Sequence, residues 1–311
     1  MKKTITVQNF LAAAVAVLMV ACGGGERPAG EAAPAGRPKP VTVKGSDTMV
    51  ILGQRMAEEY MKQNPTAMVQ VTGGGSGTGI AALINGTVDL AQASRSMTDE
   101  EKQQVVQNRG AEVVERPVAV DALAVFIHGG NPLESLTMDQ IKQIYQGKIT
   151  NWRDVGGSDA EIILYGRESS SGTYDYFREH VLSKEDFAPR VQTLQGTAAI
   201  INAVSKDPAG IGYGGFAYAT DVKLLPIAAE GKAPVAPSAE SVASAEYPLA
   251  RFLYYYYTAN PTQAVQDFVD FSVSAEGQAV VDKVGYFPLN EAPAEVGDVT
   301  SEPVVSETNA Q

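Results

Sequence analysis

Four short segments of this 311-residue chain combine hydroxyl side chains with glycine or arginine in a way that suits an oxyanion. They are Gly45-Ser46-Asp47-Thr48, the run GGGSGTG at 73–79, Ala93-Ser94-Arg95-Ser96, and the run GRESSSGT at 166–173. Glycine lets backbone amides approach a ligand closely, serine and threonine hydroxyls donate hydrogen bonds, and arginine adds a charge-assisted fork. The candidate anion-binding residues are Ser46, Asp47, Thr48, Ser76, Gly77, Ser94, Arg95, Arg167, Ser171, Gly172 and Thr173. Any one such segment is also an ordinary cap or turn; four in one chain point to a site. The glycine run is not a nucleotide-binding P-loop, because no Gly-Lys-Ser/Thr follows it. Ester hydrolysis is poorly served: Ser171 as a nucleophile needs a base, and His128 and His180 are the only histidines. With Cys22 the only cysteine there is no disulfide framework or thiolate metal site, so no cofactor, no metal and no enzyme are expected.

Anion-binding amides collect where a strand turns into a helix, so the segments require α/β elements around them. Apolar spacing predicts strands at 41–44, 69–72, 89–93 and 112–116, and helices at 50–62, 79–85 and 98–108, the last capped by Thr98 with Glu101 three residues on. A central block has a strand at 162–166, helices at 173–181 and 197–206, and a glycine-rich turn at 210–215. Helices are expected near 263–274 and 275–284. Two apolar runs, DALAVFIH at 121–128 and RFLYYYY at 251–257, flank the central block. They suit strands that cross between lobes, with Tyr254 to Tyr257 packing in the sheet and Trp152 in the core. The expected architecture is two α/β lobes joined by paired crossing strands with a cleft between them. Residues 41–121 plus 251–290 would form lobe 1, and 122–250 lobe 2.

The ends are read differently. Lys2 and Lys3 followed by LAAAVAVLMVA at 11–21 resemble an export signal too short for a membrane span. Met19-Val20-Ala21-Cys22 resembles a lipobox, which makes 1–22 a lipoprotein signal peptide and Cys22 a site of lipid attachment. Residues 23–40 are mostly Gly, Ala and Pro with little to bury, the composition of a disordered tether. Residues 291–311 hold five acids and no base or aromatic, a disordered acidic tail. The net charge of −12 argues against nucleic acid as a partner. It does not exclude a small anion, since exposed acids beyond a Debye length of roughly 8 Å are screened from a dry cleft.

The motifs GSDTM (45–49), GGGSGTG (73–79), VDLAQASR (88–95), LTMDQIKQIYQGKITNW (136–152), GRESSSGT (166–173), DPAGIGYGGFAYA (207–219) and GQAVVDKVGYFPL (277–289) resemble the phosphate-binding proteins of Pst-type phosphate importers. The resemblance implies a periplasmic-binding-protein fold of type II closing over one phosphate. It also implies an exported, lipid-anchored monomer that hands phosphate to the membrane permease of an ABC transporter. The family's contacts fall on Thr48, Ser76, Arg167, Ser171, Gly172 and Thr173. Family members place a proton-accepting aspartate where this chain has Arg95, and Asp47 is the substitute acceptor here. Phosphate near neutral pH carries a proton to donate and sulfate does not, so a buried carboxylate discriminates between them. Two other readings stay open: the same fold binding sulfate, arsenate, molybdate or tungstate, and a surface or receptor lipoprotein without transport.

Overall fold

The computed structural model of the protein describes residues 39–291. The expected signal peptide, Cys22, residues 23–38 of the tether and the acidic tail after Glu291 lie outside them. Strand β1 (Val41–Gly45) leads through a 3-10 turn into α1 (Val50–Gln63), whose buried Leu52, Met56 and Tyr60 lie four residues apart on one face. Then come β2 (Val69–Thr72), α2 (Ser76–Ile84), β3 (Leu90–Ala93) and α3 (Asp99–Arg109). Thr98 and Glu101 close the expected capping box on α3. Strand β4 (Val113–Ile127) carries the chain into the second half: β5 (Leu136–Thr137), α4 (Met138–Tyr145), β6 (Ile163–Arg167), α5 (Gly172–His180), β7 (Gln192–Leu194), α6 (Thr197–Val204), β8 (Gly210–Gly215), β9 (Lys223–Leu224), β10 (Ile227–Ala228) and α7 (Ala239–Ala243). Strand β11 (Ala250–Thr258) returns it to α8 (Gln263–Val273) and α9 (Ala275–Val284).

The main sheet runs β2-β1-β3-β11-β4-β8-β6-β7, with β9 against β4 and a separate β10-β5 pair. Its two ends are parallel and β11, β4 and β8 are antiparallel at the centre. The first part of β4 pairs with β11 and the second part with β8, so this one strand belongs to both lobes. The segments 112–116 and 121–128, expected as separate strands, are therefore parts of one strand, Val113–Ile127. Pro117 between them, which has no N–H to donate, is accommodated where the β4–β11 register shifts at Leu253/Tyr254.

Cores flank each half. Met49, Leu52, Met56, Tyr255, Phe268 and Val281 pack together on one side, and Ile141, Tyr145, Trp152, Phe177, Tyr213 and Leu225 on the other. Trp152 is buried with its Nε1–H donating to Ala209 O at 2.9 Å, as a core residue should. Residues 210–215, expected as a turn, form the buried strand β8. The glycines serve packing: a Cβ on Gly212 would lie 2.4 Å from Ile200 Cγ2, so α6 sits directly on the strand backbone. Among the described residues no helix is long and apolar enough to cross a membrane.

Candidate functional site

The four turn segments converge. Ser46 to Thr48 follow β1, Ser76 opens α2, Ser94 follows β3, and residues 167–173 join β6 to α5. The hydroxyls of Ser46, Thr48, Ser76, Ser94, Ser171 and Thr173 are all buried, as is Arg167. Ser46 Oγ donates to Ser94 Oγ at 3.0 Å, and the Ser94 N–H donates to Ser76 Oγ at 3.1 Å. Thr48 Oγ1 and Thr173 Oγ1 share a hydrogen bond of 2.9 Å across the lobes. Ser171 caps α5, accepting from the Thr173 and Tyr174 N–H groups at 3.2 and 3.3 Å. Ser171 already accepts from backbone N–H groups and keeps its own O–H proton for a further acceptor, whereas Ser76 Oγ also shares a hydrogen bond of 3.4 Å with Ser94 Oγ.

The helix starts of α2 and α5 are in contact. A Cβ on Gly172 would fall 2.3 Å from Ser76 Oγ, and one on Gly75 would fall 2.4 Å from Ser170 O. Gly75 also has φ +91°, a conformation that glycine adopts without the steric cost a Cβ brings. The close approach is what lets the two loops meet.

Beside the hydroxyls lies a charge cluster. Arg167 donates through Nε and Nη2 to Glu168 at 3.2 and 3.0 Å and through Nη1 to Thr197 Oγ1 at 3.1 Å, and its Nη2 lies 3.5 Å from Asp47 Oδ2. Asp47 Oδ1 accepts from the Gly74 N–H at 2.9 Å, whereas Oδ2 is buried with no hydrogen-bond donor. At 3.5 Å the Arg167 contact is an ion pair too long to satisfy that oxygen. Burial pushes the Asp47 carboxyl above its usual range; the Gly74 N–H and Arg167 oppose the rise and Glu168 adds to it.

Two expected site groups have other partners. The Gly77 N–H donates to Ser170 O at 2.9 Å. Arg95 turns to a carboxylate pair: its Nη atoms meet Glu101 at 2.8 and 2.7 Å, and its Nε donates to Asp175 Oδ2 at 2.8 Å. Glu101 belongs to α3 and Asp175 to α5, so Arg95 bridges the lobes. It lines a cavity of about 760 Å³ beside β11, with Tyr176 and His180.

The sequence reading missed a second buried guanidinium. Arg251 on β11 donates through Nε and Nη2 to Asp121 Oδ2 at 3.1 and 2.9 Å, through Nη1 to Ser94 O at 3.0 Å, and through Nη2 to Thr173 Oγ1 at 2.9 Å. Burial raises the Asp121 carboxyl, and Arg251 opposes the rise. The signal was present. Asp121 and Arg251 each open an apolar run, and buried charges in such strands need each other. Among the described residues no cluster of His, Cys, Asp and Glu could hold a metal ion.

Comparisons with known proteins identify the family. The PBP superfamily domain model matches residues 28–276. The phosphate-binding protein PstS of Pseudomonas aeruginosa is 39% identical over 272 residues, covering 82% of this chain and 83% of that protein. PstS of Bacillus subtilis is 31% identical, covering 94% of this chain and 96% of that one. A phosphate ABC transporter substrate-binding protein from Clostridium perfringens, crystallised with bound phosphate, superposes with a TM-score of 0.73 at 32% identity, covering 81% of this chain and 100% of its own. A type II periplasmic-binding-protein fold, hydroxyl-lined turns meeting across its lobes and similarity to these relatives over most of the chain lead to one assignment: the chain belongs to the PstS phosphate-binding proteins of the PBP superfamily.

Proposed function

We propose that this protein captures inorganic phosphate outside the cytoplasmic membrane and delivers it to the permease of an ABC importer. The observation that carries the choice of ligand is Asp47 Oδ2, a buried acceptor without a donor beside Arg167. Protonated phosphate supplies the missing donor and sulfate cannot. Thr48, Ser76, Ser171, Gly172, Thr173 and Arg167 bind the anion, with Ser46 and Ser94 supporting them. The role is binding and release without catalysis. The lobes divide near Asp121 and Arg251, Cys22 carries the lipid, and the protein acts as a monomer. Isothermal titration with phosphate and sulfate tests the reading. Phosphate should bind with sulfate at least a thousandfold weaker, and no phosphate binding would leave a surface-interaction protein as the better description.

Lobe contact supplies two further expectations. Gly75→Ala puts a Cβ against the Ser170 carbonyl in a left-handed conformation. The backbone strain of about 1–3 kcal/mol lowers stability, and the clash between the two loops opposes their approach, so phosphate affinity by titration should fall roughly tenfold. Asp175→Asn weakens the Arg95 bridge between the lobes. Asp175 is partly exposed and solvent screens it, so the expected effect is small, about threefold faster phosphate release in stopped-flow at low salt and less at high salt.

A further inference from the structure

We infer that Arg251 is a positioning residue for the anion: it orients the Thr173 hydroxyl so that the Thr48–Thr173 pair presents an O–H proton to the ligand. This rests on the phosphate-binding reading above. A threonine hydroxyl has one proton and two acceptor positions, and a guanidinium has donors only. Arg251 Nη2 occupies one acceptor position of Thr173 Oγ1 at 2.9 Å, so the Thr173 proton must point elsewhere. Thr48 Oγ1 lies 2.9 Å away. Whichever hydroxyl donates across that distance, the pair retains one proton for an acceptor outside it, and an anion is that acceptor.

The guanidinium has little freedom to do otherwise. Asp121 Oδ2 holds Nε and Nη2, Ser94 O holds Nη1, and the Tyr176 ring centre lies 5.1 Å from Cζ. Asp121 stands directly opposite Arg251 in the β4–β11 register, and its Oδ1 is held by the Phe216 N–H at 3.2 Å. Arg251 is 3% exposed, so these bonds act in a low dielectric where orientation is strongly enforced. The same group bonds Ser94 of the first lobe and Thr173 of the second, from a strand that joins them. A lysine ammonium is a point charge without the planar fork these three acceptors need.

A double-mutant cycle on the full chain, read by isothermal titration with inorganic phosphate, tests the inference. Arg251→Lys should weaken binding about tenfold. The Arg251→Lys/Thr173→Val protein should bind within twofold of Thr173→Val alone, because Arg251 acts through the hydroxyl that valine lacks. Losses that multiply in the double variant would overturn the inference. If Arg251→Lys does not fold, neutron diffraction from the deuterated wild-type phosphate complex decides. The Thr173 deuteron should point to phosphate or to Thr48, and a deuteron directed at any other protein acceptor would overturn the inference. Wild type that fails to bind phosphate rejects the functional reading itself, a result distinct from an additive cycle.

Discussion

Arg167→Met should weaken phosphate binding about a thousandfold in isothermal titration. Truncating one member of a buried, hydrogen-bonded charge set costs roughly 2–5 kcal/mol, and a thousandfold loss lies within that range. The reason is local charge balance. Around the site stand two guanidinium groups, Arg167 and Arg251, and three carboxylates, Asp47, Glu168 and Asp121. Arg251 is matched by Asp121, so Arg167 alone faces both Asp47 and Glu168. Removing it leaves two carboxylates to repel an incoming anion. The same change leaves buried charge uncompensated and should lower the melting temperature. Arg167→Lys separates the effects: it keeps the charge but not the fork that holds Glu168 and Thr197 together, and an intermediate loss is expected. Binding by Arg167→Met within tenfold of wild type would place the phosphate site elsewhere.

Asp47→Asn should reduce phosphate affinity about a hundredfold while sulfate affinity rises, closing most of the gap between the two. Asparagine keeps one oxygen for the Gly74 N–H but replaces the orphaned Oδ2 with a donor, which suits proton-free sulfate and opposes protonated phosphate. Unchanged affinities for both anions would remove Asp47 from the acceptor role. The direction of the Asp47 shift adds a check on folding. Desolvation raises its carboxyl in the folded protein, so its contribution to stability is fully present below the unfolded value and is lost as pH rises through the raised one. Wherever the group is ionised it is therefore a burden on the fold. Asp47→Asn should melt at the same or a higher temperature than wild type, so a binding loss cannot be blamed on unfolding.

Local segments were the most legible features. The Thr98–Glu101 box, the α1 face through Leu52, Met56 and Tyr60, and the strands at 41–44 and 69–72 depend on neighbours within a few residues, and the structure has them. Where a segment's state depended on distant packing, the reading failed. The run at 210–215 looks like a turn by composition but is a buried strand, because α6 needs glycines beneath it. The segments 112–116 and 121–128 look like separate strands but both fall in β4 (Val113–Ile127), because a register shift opposite Pro117 absorbs the missing donor.

The site divides the same way. Residue types and turn spacing by themselves marked the hydroxyls, glycines and Arg167 of four turns as an expected oxyanion set, the family resemblance pointed to Asp47 as the acceptor, and the structure has those turns in contact. Those features are written within a few residues of each other at strand-to-helix turns. Only the tertiary structure decided which partner each group takes. Arg95 pairs with Asp175, 80 residues away, and Arg251 reaches Asp121, 130 residues away, and Thr173, 78 residues away. Chain folding sets those distances, and a buried charge or hydroxyl must take whatever complementary group the fold brings within about 3 Å.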